Sequence, residues 1–109
     1  MEDWYLDLAR TDPSTSDLVT AAIDLLAETG PSLGRPVVDS IKGSRIHNLK
    51  ELRASTIRVL FVFDPERRAL LLVAGDKAGD WKGWYAVNIP VAERRDAAWL
   101  AGQYDEGGQ

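Results

Sequence analysis

The sequence predicts a small α+β protein in which an antiparallel sheet of about four strands carries helices on one side. Three observations lead to this class. Apolar runs of strand length and apolar residues at helical spacing occur in separate segments, and turn-forming residues divide them. The length of 109 residues suits one domain, which we assign to residues 1–104, followed by a disordered tail at residues 105–109.

The N-terminal part is expected to contain one strand and two helices. Residues 3–8 alternate apolar and polar side chains, which indicates a strand. Residues 17–29 repeat apolar side chains at helical spacing and stop at Gly30, which indicates a helix with one buried face. Residues 36–43 suit a short second helix.

The central part is expected to be a meander of three strands. Residues 48–53 and 56–64 form two apolar runs joined by a short turn. The sequence DPER at residues 64–67 is a second turn, and the apolar run at residues 68–76 follows it. The sheet therefore has a buried centre.

The C-terminal part is expected to be a loop and then a helix. Residues 77–88 combine several glycines with aromatic side chains, which favours a loop. Pro90 suits the first turn of a helix, because that position needs no backbone N–H donor.

Composition excludes several classes of function. The chain has no cysteine and one histidine, so disulfides, thiolate zinc sites and histidine-rich metal centres are excluded, and we predict neither metal nor cofactor. No apolar run is long enough to span a membrane. The acidic N-terminus does not resemble a signal peptide, so the expected location is the cytoplasm.

Charge is distributed unevenly along an acidic chain. The net charge is −4, yet residues 35–58 contain six cations and two acids, while the other segments together carry a balance of −8. A local cationic surface attracts anions such as phosphate over roughly 10 Å at moderate salt. This segment can therefore attract phosphate, while the acidic remainder of the chain would weaken binding to bulk RNA.

Two arginines of the central hairpin are candidates for binding a phosphate. A short turn brings Arg53 and Arg58 close together. A guanidinium group can bind two oxygens of a phosphate at once. The alternative is a solvated strand edge in which Glu51 or Asp64 pairs with these cations. Spacing alone leaves both interpretations open.

The run LKELRASTIRVLFVFD, followed by LLLVAGDK and then by WY and NIP, resembles the core of the RelE/HigB superfamily of bacterial toxins, in its phage-derived branch. The resemblance covers residues 18–92. It implies a RelE-like fold of the microbial ribonuclease type and a metal-independent endoribonuclease that cuts messenger RNA on the ribosome. It also implies a cognate antitoxin, commonly a helix-turn-helix protein, that silences the toxin in a hetero-oligomer.

The resemblance assigns roles to individual residues. Arg53 and Arg58 match arginines that bind the scissile phosphate, and Lys77 matches the basic position after the last strand. Tyr85 matches the C-terminal tyrosine of RelE-type toxins. Glu51 departs from the pattern, because such toxins often carry a lysine there.

Cleavage by the 2′-hydroxyl of the RNA needs cations near the phosphate and groups that transfer protons. His47 is a candidate for proton transfer because histidine changes charge near neutral pH. Its alternative role is that of a surface residue, and Lys50 or Tyr85 can take its place. Arg45 and Lys50 are further candidates for binding the substrate, and Trp81 can stack on a base or pack against the sheet.

Two other functions remain open at this stage. A ParE-like toxin binds DNA gyrase without cutting RNA, and the acidic surface with few proton-transfer residues suits that function. A degenerate member of the same family would retain only the binding of its partner.

Overall fold

Two helices, a four-stranded antiparallel sheet and a long helix follow one another along the chain. The computed structural model describes the backbone of residues 2–107 and the side chains of residues 3–102. The elements are α1 (Glu2–Thr11), α2 (Pro13–Thr29), a 3-10 turn (Gly30–Ser32), β1 (Val38–Ser40), β2 (Lys50–Ala54), β3 (Ile57–Phe63), β4 (Ala69–Asp76) and α3 (Trp81–Gly107). The strand order is β1-β2-β3-β4, which confirms the predicted α+β class with four antiparallel strands.

Helix α1 replaces the strand predicted at residues 3–8. Trp4, Tyr5 and Leu8 pack against the buried core, and their spacing is that of one helix face. Leu6 is 55% exposed. A strand would have placed Leu6 on the buried face with its alternating neighbours. The strand prediction was wrong because a six-residue segment does not separate the two periodicities.

Helix α2 confirms the helix predicted at residues 17–29 and begins four residues earlier, at Pro13. The carboxylate of Asp12 caps this end by accepting the N–H of Thr15 at 3.2 Å. At the other end Gly30 adopts a φ of 68°, and its N–H donates to the carbonyl of Leu26. A left-handed residue of this kind ends a helix at low cost only when it is glycine.

Strand β1 replaces the helix predicted at residues 36–43. Val38 pairs with Leu52 in antiparallel register, and its side chain is buried in the core. β-Branched residues favour a strand when they can pack on a pleated surface. The sheet supplies that surface, so tertiary packing overrides the weak helical spacing of this segment.

The hairpin of β2 and β3 confirms the predicted central strands. Arg53 pairs with Arg58 and Ala54 with Ile57, so Ser55 and Thr56 form the turn. The turn predicted at residues 64–67 is also present, and the N–H of Arg67 donates to the carbonyl of Asp64 at 2.9 Å.

Helices cover both faces of the sheet, not one face as predicted. On β3, Val59 and Phe61 belong to a core shared with α1 and α2, while Leu60 and Val62 belong to a second core shared with α3. A strand whose side chains are apolar in both directions must be covered on both sides. The one-sided prediction was wrong because the aromatic segment predicted as a loop belongs to α3, which covers the second face.

Helix α3 begins at Trp81, so both the predicted loop at residues 77–88 and the predicted helix start at Pro90 were wrong. Asp80 caps the helix, because its carboxylate accepts the N–H of Gly83 at 3.1 Å. Trp84 packs into the second core and stabilises a helix that its glycine content disfavours. Pro90 lies inside the helix.

The disordered tail predicted at residues 105–109 stays a prediction. Residues 108 and 109 and the side chains from residue 103 onward lie outside the described part of the chain.

Within the described residues, none of the helices combines the length and the apolar character that a membrane span requires.

A close approach between α3 and β4 leads to a test of the fold. Adding a Cβ atom at Gly75 would place it 2.5 Å from Nε1 of Trp84. We therefore expect Gly75→Ala to lower the free energy of unfolding by about 1–3 kcal/mol, measured by urea denaturation. Gly102→Ala is the control, because its Cβ would meet nothing within 4 Å. An equal effect of the two variants would contradict the packing described for Trp84.

Candidate functional site

A buried carboxylate organises the turn end of the β2–β3 hairpin. Glu51 is 4% exposed and lies on the side of the sheet that faces α3. Its Oε1 accepts a hydrogen bond from Nε of Arg53 at 2.9 Å, and its Oε2 accepts one from the hydroxyl of Tyr85. Nε of Arg58 lies 3.9 Å from the same Oε2. We call Glu51, Arg53, Arg58 and Tyr85 the Glu51 network.

Strand geometry explains why these side chains meet. Alternation along β2 places Glu51 and Arg53 on the same face. Pairing with β3 places Arg58 directly opposite Arg53. Two neighbouring guanidinium groups repel each other, so the carboxylate between them removes a cost that the hairpin would otherwise carry.

The guanidinium of Arg58 is hydrogen-bonded to backbone carbonyls of the hairpin. The residue is 8% exposed, and its Nη1 donates to the carbonyls of Ser55 and Ile57, both at 2.8 Å. Its Nε has no hydrogen-bond partner among the described residues, although the atom is buried. Arg58 therefore fixes the hairpin turn, and its Nε is an unsatisfied donor on the side of Glu51.

Arg53 is the more accessible of the two arginines. Its side chain is 34% exposed, and its Nη2 lies 3.0 Å from Oδ2 of Asp39 on β1. Asp39 also accepts a hydrogen bond from Nε of Arg35 at 3.1 Å. This bond, together with the N–H of Ser40 and the nearby Arg53, holds the pKa of Asp39 below its ordinary value. The bond to Glu51 raises the pKa of Arg53.

A groove of about 630 Å³ runs between β1 and α3 beside this network. Tyr85 belongs to both the groove and the network, and Asp39 connects the groove to Arg53. Arg35 and Lys42 add two cations to its wall. The full lining is Arg35, Asp39, Ser40, Ile41, Lys42, Tyr85 and Ile89. This groove is a partly cationic cleft with a phenol on one wall.

Tyr85 is a hydrogen-bond donor at neutral pH. Burial, followed by the hydrogen bond to Glu51, raises its pKa from 10.0 to about 12. A phenol in this state can give a proton to a developing oxyanion and cannot serve as a base. Its ring meets the ring of Trp84 edge to face, with centroids 5.1 Å apart, so its position is fixed by packing.

The raised pKa of Tyr85 predicts an alkaline loss of stability. The folded state binds this proton more tightly than the unfolded state, so the contribution is complete below pH 10 and disappears as the pH rises towards 12. We expect Tyr85→Phe to remove this part of the decline in a series of urea denaturation curves over the same pH range. Ultraviolet absorbance of the tyrosinate gives a direct reading. Identical pH slopes for the variant and the wild type would contradict the assignment.

Lys77 and Trp81 lie at the same end of the sheet and contact each other. The N–H of Lys77 donates to the carbonyl of Thr56, the second residue of the hairpin turn, at 3.0 Å. Its Nζ lies 5.9 Å from the ring of Trp81, and Nζ of Lys82 lies 5.7 Å from that ring. Trp81 is 55% exposed. The cluster is a cationic aromatic surface next to the Glu51 network.

The other predicted site residues lie elsewhere. Arg45 and His47 are exposed in the loop before β2, where the N–H of Arg45 donates to the carboxylate of Glu93 at 2.6 Å. The five residues of β2 separate this loop from the hairpin turn, a distance of roughly 15 Å. Lys50 alternates with Glu51 and therefore points to the opposite face. The structure thus brings together Arg53, Arg58 and Tyr85, with Lys77 and Trp81 beside them.

Two participants were absent from the predicted site, Glu51 and Asp39. From the sequence, Glu51 is a departure from the family pattern and a candidate partner of Arg53 and Arg58 at a solvated strand edge. Its signal in the sequence is that it is the one acid of a cationic strand and stands two residues from Arg53. Asp39 could not be found, because its position depends on the unpredicted strand β1. Among the described side chains, no group of three or more histidines or carboxylates is arranged to hold a metal ion.

Comparison with known proteins places the chain in a family. A family model described as "Phage derived protein Gp49-like" matches residues 6–96. "Putative toxin HigB3" of Mycobacterium tuberculosis (strain ATCC 25618 / H37Rv) is 53% identical over 109 residues, which cover 98% of this chain and 93% of that protein. "Putative toxin HigB2" of the same organism is 50% identical over 110 residues, which cover 90% of this chain and 55% of that protein. No solved structure matches significantly. The chain therefore belongs to the Gp49-like family of phage-derived proteins and is HigB-like over nearly its whole length.

Proposed function

We propose that this protein is the toxin of a type II toxin–antitoxin system and that it inhibits translation by cutting messenger RNA on the ribosome. The names of its relatives support a toxin that is neutralised by a cognate antitoxin. One observation carries the ribonuclease assignment. The partly exposed guanidinium of Arg53 and the protonated hydroxyl of Tyr85 lie on either side of Glu51, beside a groove with two further cations.

The proposed reaction uses the RNA's own nucleophile. The 2′-hydroxyl oxygen bonds to the adjacent phosphorus, the bond from phosphorus to the 5′-oxygen breaks, and a cyclic phosphate results. The hydroxyl proton passes to solvent, and the leaving oxygen takes a proton from a donor. Arg53 stabilises the charge that develops on the phosphoryl oxygens, and Tyr85 is the donor. The phosphate replaces Asp39 as the outer partner of Arg53. Positioning of the message by the ribosome supplies a further part of the rate.

The cationic aromatic surface of Lys77 and Trp81 suits the strand that flanks the scissile phosphate. An exposed indole stacks on a base of any identity, and neighbouring ammonium groups attract the backbone. We assign these residues to substrate binding. Arg58, by contrast, is a positioning residue, because its guanidinium is already committed to the hairpin turn.

One observation favours a second function. Both arginines are paired within the protein, Arg58 with backbone carbonyls and Arg53 with two carboxylates. Guanidinium groups that already have partners within the protein are less available to a phosphate, which suits a toxin that binds a protein target. A toxin that inhibits DNA gyrase without nuclease activity, or a family member that only binds its partner, would have such a site.

Toe-printing of translating ribosomes tests the proposed function. Purified protein should produce new cuts that recur once per codon and that disappear when the cognate antitoxin is added. A parallel assay of DNA supercoiling by gyrase tests the second function. Intact messages together with inhibited supercoiling would replace the ribonuclease by a gyrase inhibitor, and no effect in either assay would leave only partner binding.

A further inference from the structure

The outer face of α2 is apolar on one side and acidic on the other. Leu18 and Leu25 are 53% and 39% exposed, and Ala21 between them is exposed as well. These residues are spaced by three, four and seven positions, so they form one stripe. The acids Asp17, Asp24 and Glu28 occupy the adjoining stripe and are all exposed. We call these six residues the α2 outer face.

The acidic side of this face has no counter-charge within the described residues. Helix α2 contains no lysine or arginine, and none of its three exposed acids forms an ion pair in the described part of the chain. Asp24 and Glu28 are four residues apart, an arrangement that repels by about 0.2–0.5 kcal/mol. A cationic partner would remove that repulsion.

The charge of the molecule is divided between its N-terminal helices and the rest of the chain. Residues 1–32, which include α1 and α2, carry seven acids and one cation, a net charge of −6. Residues 33–109 carry ten acids and twelve cations, a net charge of +2. The acidic character of the whole chain therefore comes from the layer formed by α1 and α2. This layer repels nucleic acid and attracts basic partners.

We propose that the α2 outer face docks an amphipathic helix of a partner protein. Large aliphatic side chains of that helix contact Leu18 and Leu25, and its lysines or arginines pair with the acidic stripe. Helix docking of this kind uses apolar anchors spaced by three, four and seven residues, which is the spacing of the exposed stripe. Complementary charge fixes the orientation of the bound helix.

The position of this face has a consequence for inhibition. Helix α2 and the Glu51 network lie on opposite faces of the sheet. A helix bound to α2 therefore leaves the groove at Tyr85 and Arg53 open. Under the proposed function, an antitoxin that docks here holds the toxin without filling the catalytic groove, and inhibition requires a second contact or a block of ribosome binding.

The test measures binding of a synthetic peptide to the full-length protein. The probe is a fluorescent amphipathic helix of roughly five turns, with leucines on one face and lysines on the adjoining face, and binding is followed by anisotropy. We expect Leu18→Ser/Leu25→Ser to weaken binding by about tenfold or more, because two apolar anchors are lost. We expect Asp17→Asn/Asp24→Asn/Glu28→Gln to weaken binding at low salt and to remove most of its salt dependence.

A matched control lies on the neighbouring helix. Asp3→Asn/Leu6→Ser/Asp7→Asn removes two acids and an exposed leucine from α1, and this variant should bind within about twofold of the wild type. The proposal is overturned if this control weakens binding as much as the α2 variants do. It is also overturned if a peptide of the same composition with scrambled leucines and lysines binds equally well.

The docking test and the functional test can fail separately. The α2 variants should retain the wild-type pattern of cuts in toe-printing, because their side chains lie away from the groove. Absence of cuts in all forms would defeat the ribonuclease assignment while the peptide data still decide the docking face.

Discussion

Replacing Glu51 by leucine is expected to lower the free energy of unfolding by roughly 3–5 kcal/mol, because it leaves buried cations without their carboxylate. Arg58 is 8% exposed and would lose the carboxylate that lies 3.9 Å from its Nε, a buried donor with no hydrogen-bond partner among the described residues. Tyr85 would lose the acceptor of its hydroxyl. Glu51→Gln should have a smaller effect, since an amide oxygen can still accept from Tyr85. Urea denaturation at neutral pH measures both variants.

The control is an ion pair on the surface. Glu66 pairs with Arg68 at 2.8 Å, and both side chains are about 70% exposed, so Glu66→Gln should change the stability by less than about 1 kcal/mol. A second comparison separates the charge from the packing. Glu51→Leu/Arg58→Met removes both buried charges together and should cost less than the sum of the two single changes, although it also loses the bonds from Arg58 to the turn. Equal small effects at positions 51 and 66 would show that the Glu51 network does not support the fold.

The sequence predicted the sheet better than the layers that cover it. The β2–β3 hairpin, the turn after it and helix α2 have strong local signals, namely apolar runs of the right length, turn residues and helix caps. Helix α1 and strand β1 lack such signals, and in the first turns of α3 the glycines oppose the cap at Asp80. Their conformations are decided by contacts with the sheet, for example that of Trp84 against Gly75. A weak local preference is overridden by such packing.

The candidate site, too, could be predicted from the sequence only in part. Arg53 and Arg58 could be placed side by side from the length of the turn, and Tyr85 could be named from the family resemblance. The hydrogen-bond partners of Arg53 and Tyr85 could not be predicted. These partners are Glu51 and Asp39, and the contacts to them include ones between different elements of the fold. The two arginines differ in exposure, because the side chain of Arg53 is 34% exposed and Arg58 is buried. Arg53 and Arg58 are therefore expected to respond differently to substitution.

Arg53→Gln is expected to reduce the rate of message cleavage by about 100-fold or more, the usual effect of losing one donor to a developing oxyanion. The stability should fall less than in Glu51→Leu, because Arg53 is 34% exposed and glutamine can still donate to Glu51. Arg58→Gln should lower both the rate and the free energy of unfolding, because Arg58 holds the hairpin turn. Quantified toe-printing and urea denaturation of the same preparations separate these two outcomes.

Asp39→Asn provides the opposite change at the same place. If phosphate must replace Asp39 on Arg53, weakening this ion pair should increase RNA affinity and leave cleavage at or above the wild-type rate. Arg10→Gln is the matched control, because Arg10 pairs with Asp7 at the same 3.0 Å but on exposed α1, and it should cut like the wild type. A loss of cleavage in Asp39→Asn equal to that in Arg53→Gln would show that the ion pair itself is needed. The proposed exchange of anions at Arg53 would then be wrong, and a structural role for the pair would take its place.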